Sequence, residues 1–149
     1  MNKQMKVYTH YNKIANTDMG YRWRTLLQFG NSWDIIGSVV MKNPGTAAPK
    51  CQVNDKNTLK LLSFFDNTMY DWFEFSPDST MNCVGDLFAY FYDKSNKNDL
   101  QGVVQIFNLF YLREGDLGKA LELHKKNKFP FASEEEIIQN DISQLKAPI

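Results

Sequence analysis

Two apolar runs of this sequence each end in polar residues that could bind a ligand. These residues are Asn43, Pro44, Gly45, Thr46, Asn108 and Arg113. An asparagine amide offers both a donor and an acceptor, which suits the edge of a planar base or amide. An arginine can hold a phosphate or carboxylate through paired N–H groups, and a glycine lets the backbone approach closely because no side chain stands in the way. The two clusters therefore predict recognition of a small polar ligand.

The elements that must position these residues are two buried strands. Residues 35–41 (IIGSVVM) and 102–109 (GVVQIFNL) are apolar and rich in β-branched residues, which is typical of strands buried on both faces. The stretch between them is long enough to carry a helix, as a parallel neighbour requires. In an open parallel sheet, ligands bind beyond the carboxyl ends of the strands. We therefore predict one site at that edge, in which all six residues, Asn43 included, lie against the ligand.

A structural role competes with this prediction. Asn43-Pro44-Gly45 is ordinary turn chemistry, and Asn108 could satisfy nearby backbone groups at a strand end. On spacing alone the structural interpretation is favoured, because placement at a sheet edge is only an analogy. Neither histidine has a serine or cysteine in a triad arrangement, and no Walker A, GxGxxG or metal-ligand pattern occurs. We therefore expect neither a cofactor nor a metal.

The remaining pattern predicts strands and helices along one domain. Residues 21–29 alternate as a half-buried strand with Arg22 and Arg24 on its polar side, and together with residues 35–41 they predict an antiparallel hairpin. Helices are predicted at about 57–65, 83–91 and 116–126, and a capping box from Ser133 to Glu136 opens a further one. The predicted fold class is α/β: three layers, with a mostly parallel central sheet flanked by helices and an antiparallel N-terminal hairpin strand. We expect residues 1–149 to form a single domain.

The final residues favour a second hypothesis. Ala147-Pro148-Ile149 looks like the start of another strand, which suggests a shortened version of a longer domain. An unfinished sheet leaves an edge that another chain can pair with. The alternative function is therefore a non-enzymatic interaction module, a shortened phage or mobile-element protein, and its expected assembly is a homodimer or a hetero-complex.

Composition narrows the partners and the compartment. The formal net charge is +0, and arginine occurs only at positions 22, 24 and 113, so no overall field would hold a polyanion and we expect no nonspecific nucleic-acid binding. Two cysteines are too few for a disulfide scaffold or a cysteine zinc site. The N-terminus lacks the apolar segment of a signal peptide, and the longest apolar stretch, residues 103–112, is too short to span a bilayer. We expect a cytoplasmic protein that does not contact a membrane.

Several motifs, taken in order, resemble one family of bacterial and phage proteins. They are Asn43-Pro44-Gly45-Thr46-Ala47 after a strand, Thr58-Leu59-Lys60, and residues 104–113 (VQIFNLFYLR) with Asp116 following. The family is that of domain of unknown function 1643, which typically shows Asn-Pro-Ser-Thr-Ala, then Asp-Pro-Thr at a helix start, then Val-Asn-Leu-Phe-x-Leu-Arg. The resemblance spans about residues 21–123, with Gly45 in place of the usual serine and Lys56-Asn57 in place of Asp-Pro. The family carries no established activity that the resemblance could imply.

The Asn43-Pro44-Gly45 motif is also similar, more distantly, to the first motif of the mismatch-specific uracil-DNA glycosylase branch. In that branch the asparagine positions the attacking water, and a late loop containing histidine and proline completes the site. The resemblance implies that role for Asn43, and it implies that the second motif is missing here. We therefore predict a domain that binds or processes a nucleotide, nucleobase or nucleic-acid end. Whether it is an enzyme stays open, and the reaction implied is glycosylase-like or another hydrolysis.

Overall fold

The computed structural model describes residues 4–16, 19–42, 44–66, 70–108, 111–114 and 116–127. In chain order the elements are strands β1 (Lys6–Lys13), β2 (Gly20–Phe29), β3 (Ile35–Met41) and β4 (Ala48–Gln52), helix α1 (Lys56–Leu62), strand β5 (Trp72–Ser76), helix α2 (Ser79–Phe91), a short 3-10 turn (Lys97–Asp99), strand β6 (Gly102–Asn108) and helix α3 (Leu117–Asn127). The three helices correspond to those predicted at about 57–65, 83–91 and 116–126. The predicted helix from Ser133 and the strand at 147–149 lie outside the described residues. Among the described helices, none combines the length and the apolar character needed to cross a bilayer.

The strands form one mixed sheet in the order β3-β6-β2-β1-β5-β4. Strands β3 and β6 run parallel, and the other neighbouring pairs are antiparallel. The prediction of a three-layer α/β fold with a mostly parallel sheet is therefore wrong. The described part of the chain is a mainly antiparallel sheet of six strands with three short α-helices.

The strands β1, β4 and β5, whose sequences show no clear apolar period, account for much of the difference between the predicted and the observed sheet. The connection between β1 and β2, residues 14–19, is far shorter than the crossover of about a dozen residues that parallel strands need. Strand β4 is exposed along its whole length, so its sequence carries no apolar alternation. Strand β5 is only 5 residues long. Each of these strands adds antiparallel pairing to the sheet.

The predicted hairpin between β2 and β3 is also wrong, because β6 lies between these two strands. Ile106 of β6 pairs with Thr25 of β2 on one side and with Val39 of β3 on the other. Strand β6 is buried along its whole length, whereas β3 is only partly buried, with Val40 47% exposed. Burial and position in the sheet thus agree, because β6 has a neighbour on each side and β3 lies at the edge. The predicted parallel pairing of β3 with β6 is confirmed.

One helix packs on each face of the sheet. The core on the α2 face includes the buried residues Val7, Leu27, Phe29, Phe75, Met81, Val84, Phe88, Val104 and Ile106. The core on the α1 face includes Tyr8, Leu26, Leu62, Phe65, Trp72 and Val103. Neighbouring residues of β1, β2 and β6 thus point to opposite faces, as the two-residue period of a strand requires. Both faces are covered, so β2 is buried along its whole length, and the prediction that it is half-buried is wrong.

A β-bulge interrupts the alternation of β2. The pairing with β1 shifts between Tyr8 and His10, so that Arg24 and Thr25 lie opposite Thr9 alone. A bulge of this kind adds one residue to one strand and redirects the side chains beyond it. Arg24 has a φ of 50°, in the left-handed region that residues other than glycine rarely adopt. Such a conformation persists only where surrounding contacts hold it.

The bulge sends two arginines of β2 to opposite faces, although their positions have the same parity. The Arg22 guanidinium lies on the α2 face, 5.7 Å from the ring centroid of Phe75. Arg24 lies on the α1 face, where its Nη1 donates to the backbone oxygen of Phe65 at 3.0 Å. The predicted strand, with Arg22 and Arg24 together on one polar side, does not allow for this reversal.

Arg24 belongs to a buried charged cluster with Asp66 and His10. Oδ2 of Asp66 lies 3.1 Å from Nη1 of Arg24 and 2.8 Å from Nε2 of His10. The other ring nitrogen of His10, Nδ1, lies 3.0 Å from the backbone oxygen of Asp71. All three side chains of the cluster are buried, and they contact one another and the backbone oxygens of Phe65 and Asp71. The cluster therefore anchors the bulge and serves the fold.

We predict that Asp66→Asn lowers the free energy of unfolding by about 3–5 kcal/mol, because it leaves the buried charge of Arg24 uncompensated. Asp86→Asn is the matched control, since the Asp86 side chain is 61% exposed in its ion pair with Lys97. An exposed pair contributes less than about 1 kcal/mol. Urea unfolding followed by tryptophan fluorescence measures both variants. Similar small losses in the two would contradict the anchoring role of the cluster.

Candidate functional site

The carboxyl ends of β3 and β6 lie side by side, with Met41 paired to Asn108, and they border a cavity of about 190 Å³. We call it the strand-end cavity. Among the residues that the structure describes, those lining it are Arg22, Met41, Gly45, Asp78, Thr80, Met81, Ile106 and Asn108. They come from the starts of β2 and α2, from the ends of β3 and β6, and from the loop after β3. The structure thus brings the loop after β3 and the end of β6 to one edge of the sheet.

Arg22 is the charged group of the cavity. Its side chain is buried, and its Nε and Nη1 have no hydrogen-bond partner among the described residues. Burial lowers the pKa of Arg22 to about 10, the negative charge of Asp78 partly offsets this, and Arg113 adds to the lowering. That pKa lies well above neutral pH, so the guanidinium is charged. Because Phe75 covers one face of the guanidinium, its free N–H groups lie at the edge.

Asn108 is the second buried polar group of the cavity. It is 5% exposed, and neither its Nδ2 nor its Oδ1 has a hydrogen-bond partner among the described residues. In β6 it continues the series Val104 and Ile106, which belongs to the core on the α2 face. The same alternation therefore turns Asn108 toward the cavity beside Arg22. A buried polar group without a partner costs about 1–3 kcal/mol, so both side chains are set for a hydrogen-bonding ligand.

Asp78 forms one wall of the cavity, and its hydrogen bonds go to the backbone. It is the N-cap of α2: its Oδ1 accepts a hydrogen bond from the N–H of Met81 at 2.9 Å. Its Oδ2 accepts from the N–H of Ala47 at 3.3 Å, which ties the loop after β3 to α2. A Cβ at Gly45 would collide with the Asp78 carboxylate. Gly45 is therefore required for the approach of Asp78, which the sequence prediction assigned instead to the approach of a ligand.

Arg113 fastens the other side of the same loop. Its Nε donates to the backbone oxygen of Ala47 at 2.6 Å, and its Nη2 donates to the backbone oxygen of Thr46 at 3.0 Å. The paired N–H groups predicted to hold a phosphate or carboxylate thus bind the protein's own backbone. Together with Asp78, Arg113 holds the loop at its N–H and C=O groups, and this fixes the wall of the cavity before a ligand arrives.

The predicted site residues therefore have different placements. Gly45 and Asn108 line the cavity. Pro44, the residue before Gly45, is buried, whereas Thr46 is exposed and is not among the lining residues. Asn43, the predicted catalytic residue, lies outside the described residues.

Sequence reasoning missed three polar residues of the lining: Arg22, Asp78 and Thr80. The alternation of residues 21–29 predicts Arg22 on the polar side of a half-buried strand, and nothing in the sequence indicates the bulge that turns it inward. Asp78 carried a usable signal, because an aspartate directly before a helix predicts an N-cap and hence a position at a helix start. In the part of the chain that the structure describes, no three His, Cys, Asp or Glu side chains gather as a metal site would require.

The fold and the site define a mixed-sheet domain with a polar cavity at the ends of its parallel strand pair. No protein-family model, curated protein or solved structure matches the chain. The resemblance to the domain of unknown function 1643 family, and the more distant one to the uracil-DNA glycosylases, therefore stays a prediction from the motifs alone.

Two matched arginine variants separate a ligand-facing role from a structural one. We predict that Arg22→Met leaves the free energy of unfolding unchanged within about 1 kcal/mol, or raises it, because an apolar group replaces an unpartnered buried charge. Arg113→Met will lower it by about 1.5–3 kcal/mol, since hydrogen bonds from a charged group to the backbone are lost. Chemical denaturation measures both. A larger loss for Arg22→Met than for Arg113→Met would reverse the two assignments.

Proposed function

We propose that this protein binds a nucleotide or a nucleobase in the strand-end cavity. The observation that carries the proposal is the pair of buried side chains, Arg22 and Asn108, which line one cavity with unused hydrogen-bonding groups. The Asn108 amide provides a donor and an acceptor on one planar group, which matches the polar edge of a base. Arg22 provides N–H donors that suit a base carbonyl, a ring nitrogen or a phosphate oxygen.

The size of the cavity limits how much of a ligand can enter. A volume of about 190 Å³ is below the range of about 300–1,000 Å³ that drug-sized ligands occupy. One ring or one phosphate group therefore fits inside, and the rest of a nucleotide extends toward solvent. Thr80, which is exposed on the first turn of α2, lies at this margin and can contact the outer part.

Charge favours a small ligand over a polymer. The chain has a formal net charge of +0, so it lacks the extended positive field that holds a nucleic-acid backbone. Recognition then rests on a few directed hydrogen bonds inside the cavity. This supports a free nucleotide, a free base or a single nucleic-acid end as the ligand.

A thermal-shift panel of nucleobases, nucleosides and nucleotides tests the proposal. We expect at least one member to stabilise the wild-type protein, by about 2.7 kcal/mol at 100 times its Kd. Asn108→Ala will abolish this shift, because it removes both the donor and the acceptor that face the cavity. Asn12→Ala, an exposed asparagine on β1, is the matched control and will keep the shift.

Two results would contradict nucleotide or nucleobase binding. One is a panel in which no member shifts the melting temperature of the wild-type protein. The other is an equal loss of the shift in Asn108→Ala and Asn12→Ala, with circular dichroism showing that both variants fold.

A second candidate function is self-association through β3, and it rests on a different observation. Strand β3 lies at the edge of the sheet with Val40 exposed, and the α2 residues Leu87 and Phe91 are exposed too. The end of α2 lies over β3, since the Tyr92 hydroxyl donates to the backbone oxygen of Ile36 at 2.6 Å. A second copy can pair with such an edge about a two-fold axis, because the strand's outer N–H and C=O groups complement their own copies.

Light scattering after size exclusion tests this second candidate. We expect a dimer for the wild-type chain and a monomer for Val40→Lys, because a lysine on an edge strand opposes strand pairing. Gln52→Lys on β4 is the matched control, because it introduces the same charge on an exposed residue at the opposite edge, and it will leave the dimer intact. A monomeric wild-type protein at all concentrations would exclude association through β3.

A further inference from the structure

The residues around the strand-end cavity indicate the charge of the ligand that it binds. The inference that follows rests on the proposed function. We infer that the ligand presents an anionic oxygen, from a phosphate or a carboxylate, to Arg22. The charged group then enters the cavity, and a base, where the ligand carries one, lies toward the outside. The site on this basis selects a nucleotide and rejects the corresponding nucleoside.

The first argument is the charge balance of the cavity. Arg22 is a buried cation, and Arg113 adds positive potential near it. Asp78 contributes negative charge, but its hydrogen bonds come from the backbone N–H groups of Met81 and Ala47, and it accepts none from Nε or Nη1 of Arg22. A neutral base would satisfy N–H groups of Arg22 and leave its charge without a paired anion. An anionic group accepts these hydrogen bonds and also balances the positive charge, and a buried charge needs both a hydrogen-bond partner and a counter-ion.

The second argument is the direction of α2. This helix has 13 residues and begins at Ser79, and its first-turn residues Thr80 and Met81 line the cavity. The positive end of the helix dipole therefore lies beside the cavity and favours negative charge there. Asp78 takes up the N–H of Met81 as the cap, so the helix end supports the anion through its field, and Arg22 provides the direct contact.

Asn108 adds a condition on the ligand. Its Nδ2 can donate to an anionic oxygen, and its Oδ1 can only accept. Since both atoms are buried without a partner among the described residues, a ligand that satisfies them carries an acceptor and a donor close together. A monoprotonated phosphate has both an anionic oxygen and a hydroxyl, whereas a carboxylate has acceptors only. A phosphate therefore satisfies this pair of residues more completely than a carboxylate does.

The experiment measures affinity by calorimetry at constant ionic strength for six probes: inorganic phosphate, acetate, the nucleotides AMP and UMP, and the matching nucleosides adenosine and uridine. The proteins are the wild-type chain, Arg22→Met, Arg22→Lys and the control Lys94→Met, which removes an exposed cation beyond the far end of α2. Inorganic phosphate and acetate separate the two anion sources. The nucleosides isolate the contribution of the base.

We expect a monophosphate to bind at least about 10-fold more tightly than its nucleoside, and phosphate to bind more tightly than acetate. Arg22→Met will weaken binding of the monophosphate about 10- to 100-fold, the range expected for a hydrogen bond to a charged group. Arg22→Lys will retain part of the affinity, because it keeps the charge and loses the guanidinium geometry. Lys94→Met will bind as the wild type does.

The failures of the two proposals give different results. A nucleoside that binds as tightly as its monophosphate, or an Arg22→Met variant with wild-type affinity, overturns the anion inference and leaves nucleobase binding standing. Phosphate that binds through Arg22 while nucleotides bind no more tightly supports the anion inference and overturns the nucleotide function. Absence of binding by all probes overturns both. The comparison of nucleoside with monophosphate uses wild-type protein, so it decides the matter even if a variant fails to fold.

Discussion

The β-bulge at Arg24 is the constraint on which the rest of the structure depends. One extra residue in β2 opposite Thr9 lets two arginines of the same strand reach opposite faces of the sheet. On the α1 face, Arg24 pairs with Asp66, and this contact holds a backbone conformation that an arginine rarely adopts. On the α2 face, Arg22 reaches the ends of β3 and β6 without a hydrogen-bond partner for its Nε or Nη1. A structural contact on one face thus positions the ligand-facing charge on the other.

The cavity combines a fixed wall with unsatisfied polar groups, and these two properties are typical of a preorganised site. Asp78 and Arg113 hold the loop after β3 through backbone N–H and C=O groups, so its position does not depend on a ligand. Arg22 and Asn108 are buried beside that loop with hydrogen-bonding capacity to spare. The side chains that stabilise the loop, Asp78 and Arg113, are therefore different from those that can bind a ligand, Arg22 and Asn108.

Part of this arrangement could be predicted and part could not. The apolar runs of β3 and β6, their parallel pairing, the three described helices and the place of Asn108 at a strand end all follow from local patterns. The order of the sheet could not be predicted, because the place of β6 between β2 and β3 depends on competition among segments that are distant in the chain. The position of Arg113 near the end of β6 could be predicted. Its role could not be predicted, because its hydrogen-bond partners Thr46 and Ala47 are distant in the chain.

The sequence by itself determined the short-range features: apolar runs long enough for buried strands, an aspartate that caps α2, and an asparagine at the end of β6. These depend on residues within one or two turns or strand periods of each other, so a linear pattern contains them. Only the tertiary structure decided that Arg22 faces the cavity, that Arg113 binds its own backbone, and that the sheet is mainly antiparallel. Those outcomes depend on which distant segments compete for burial and on a one-residue shift of register, and neither leaves a periodic trace in the chain.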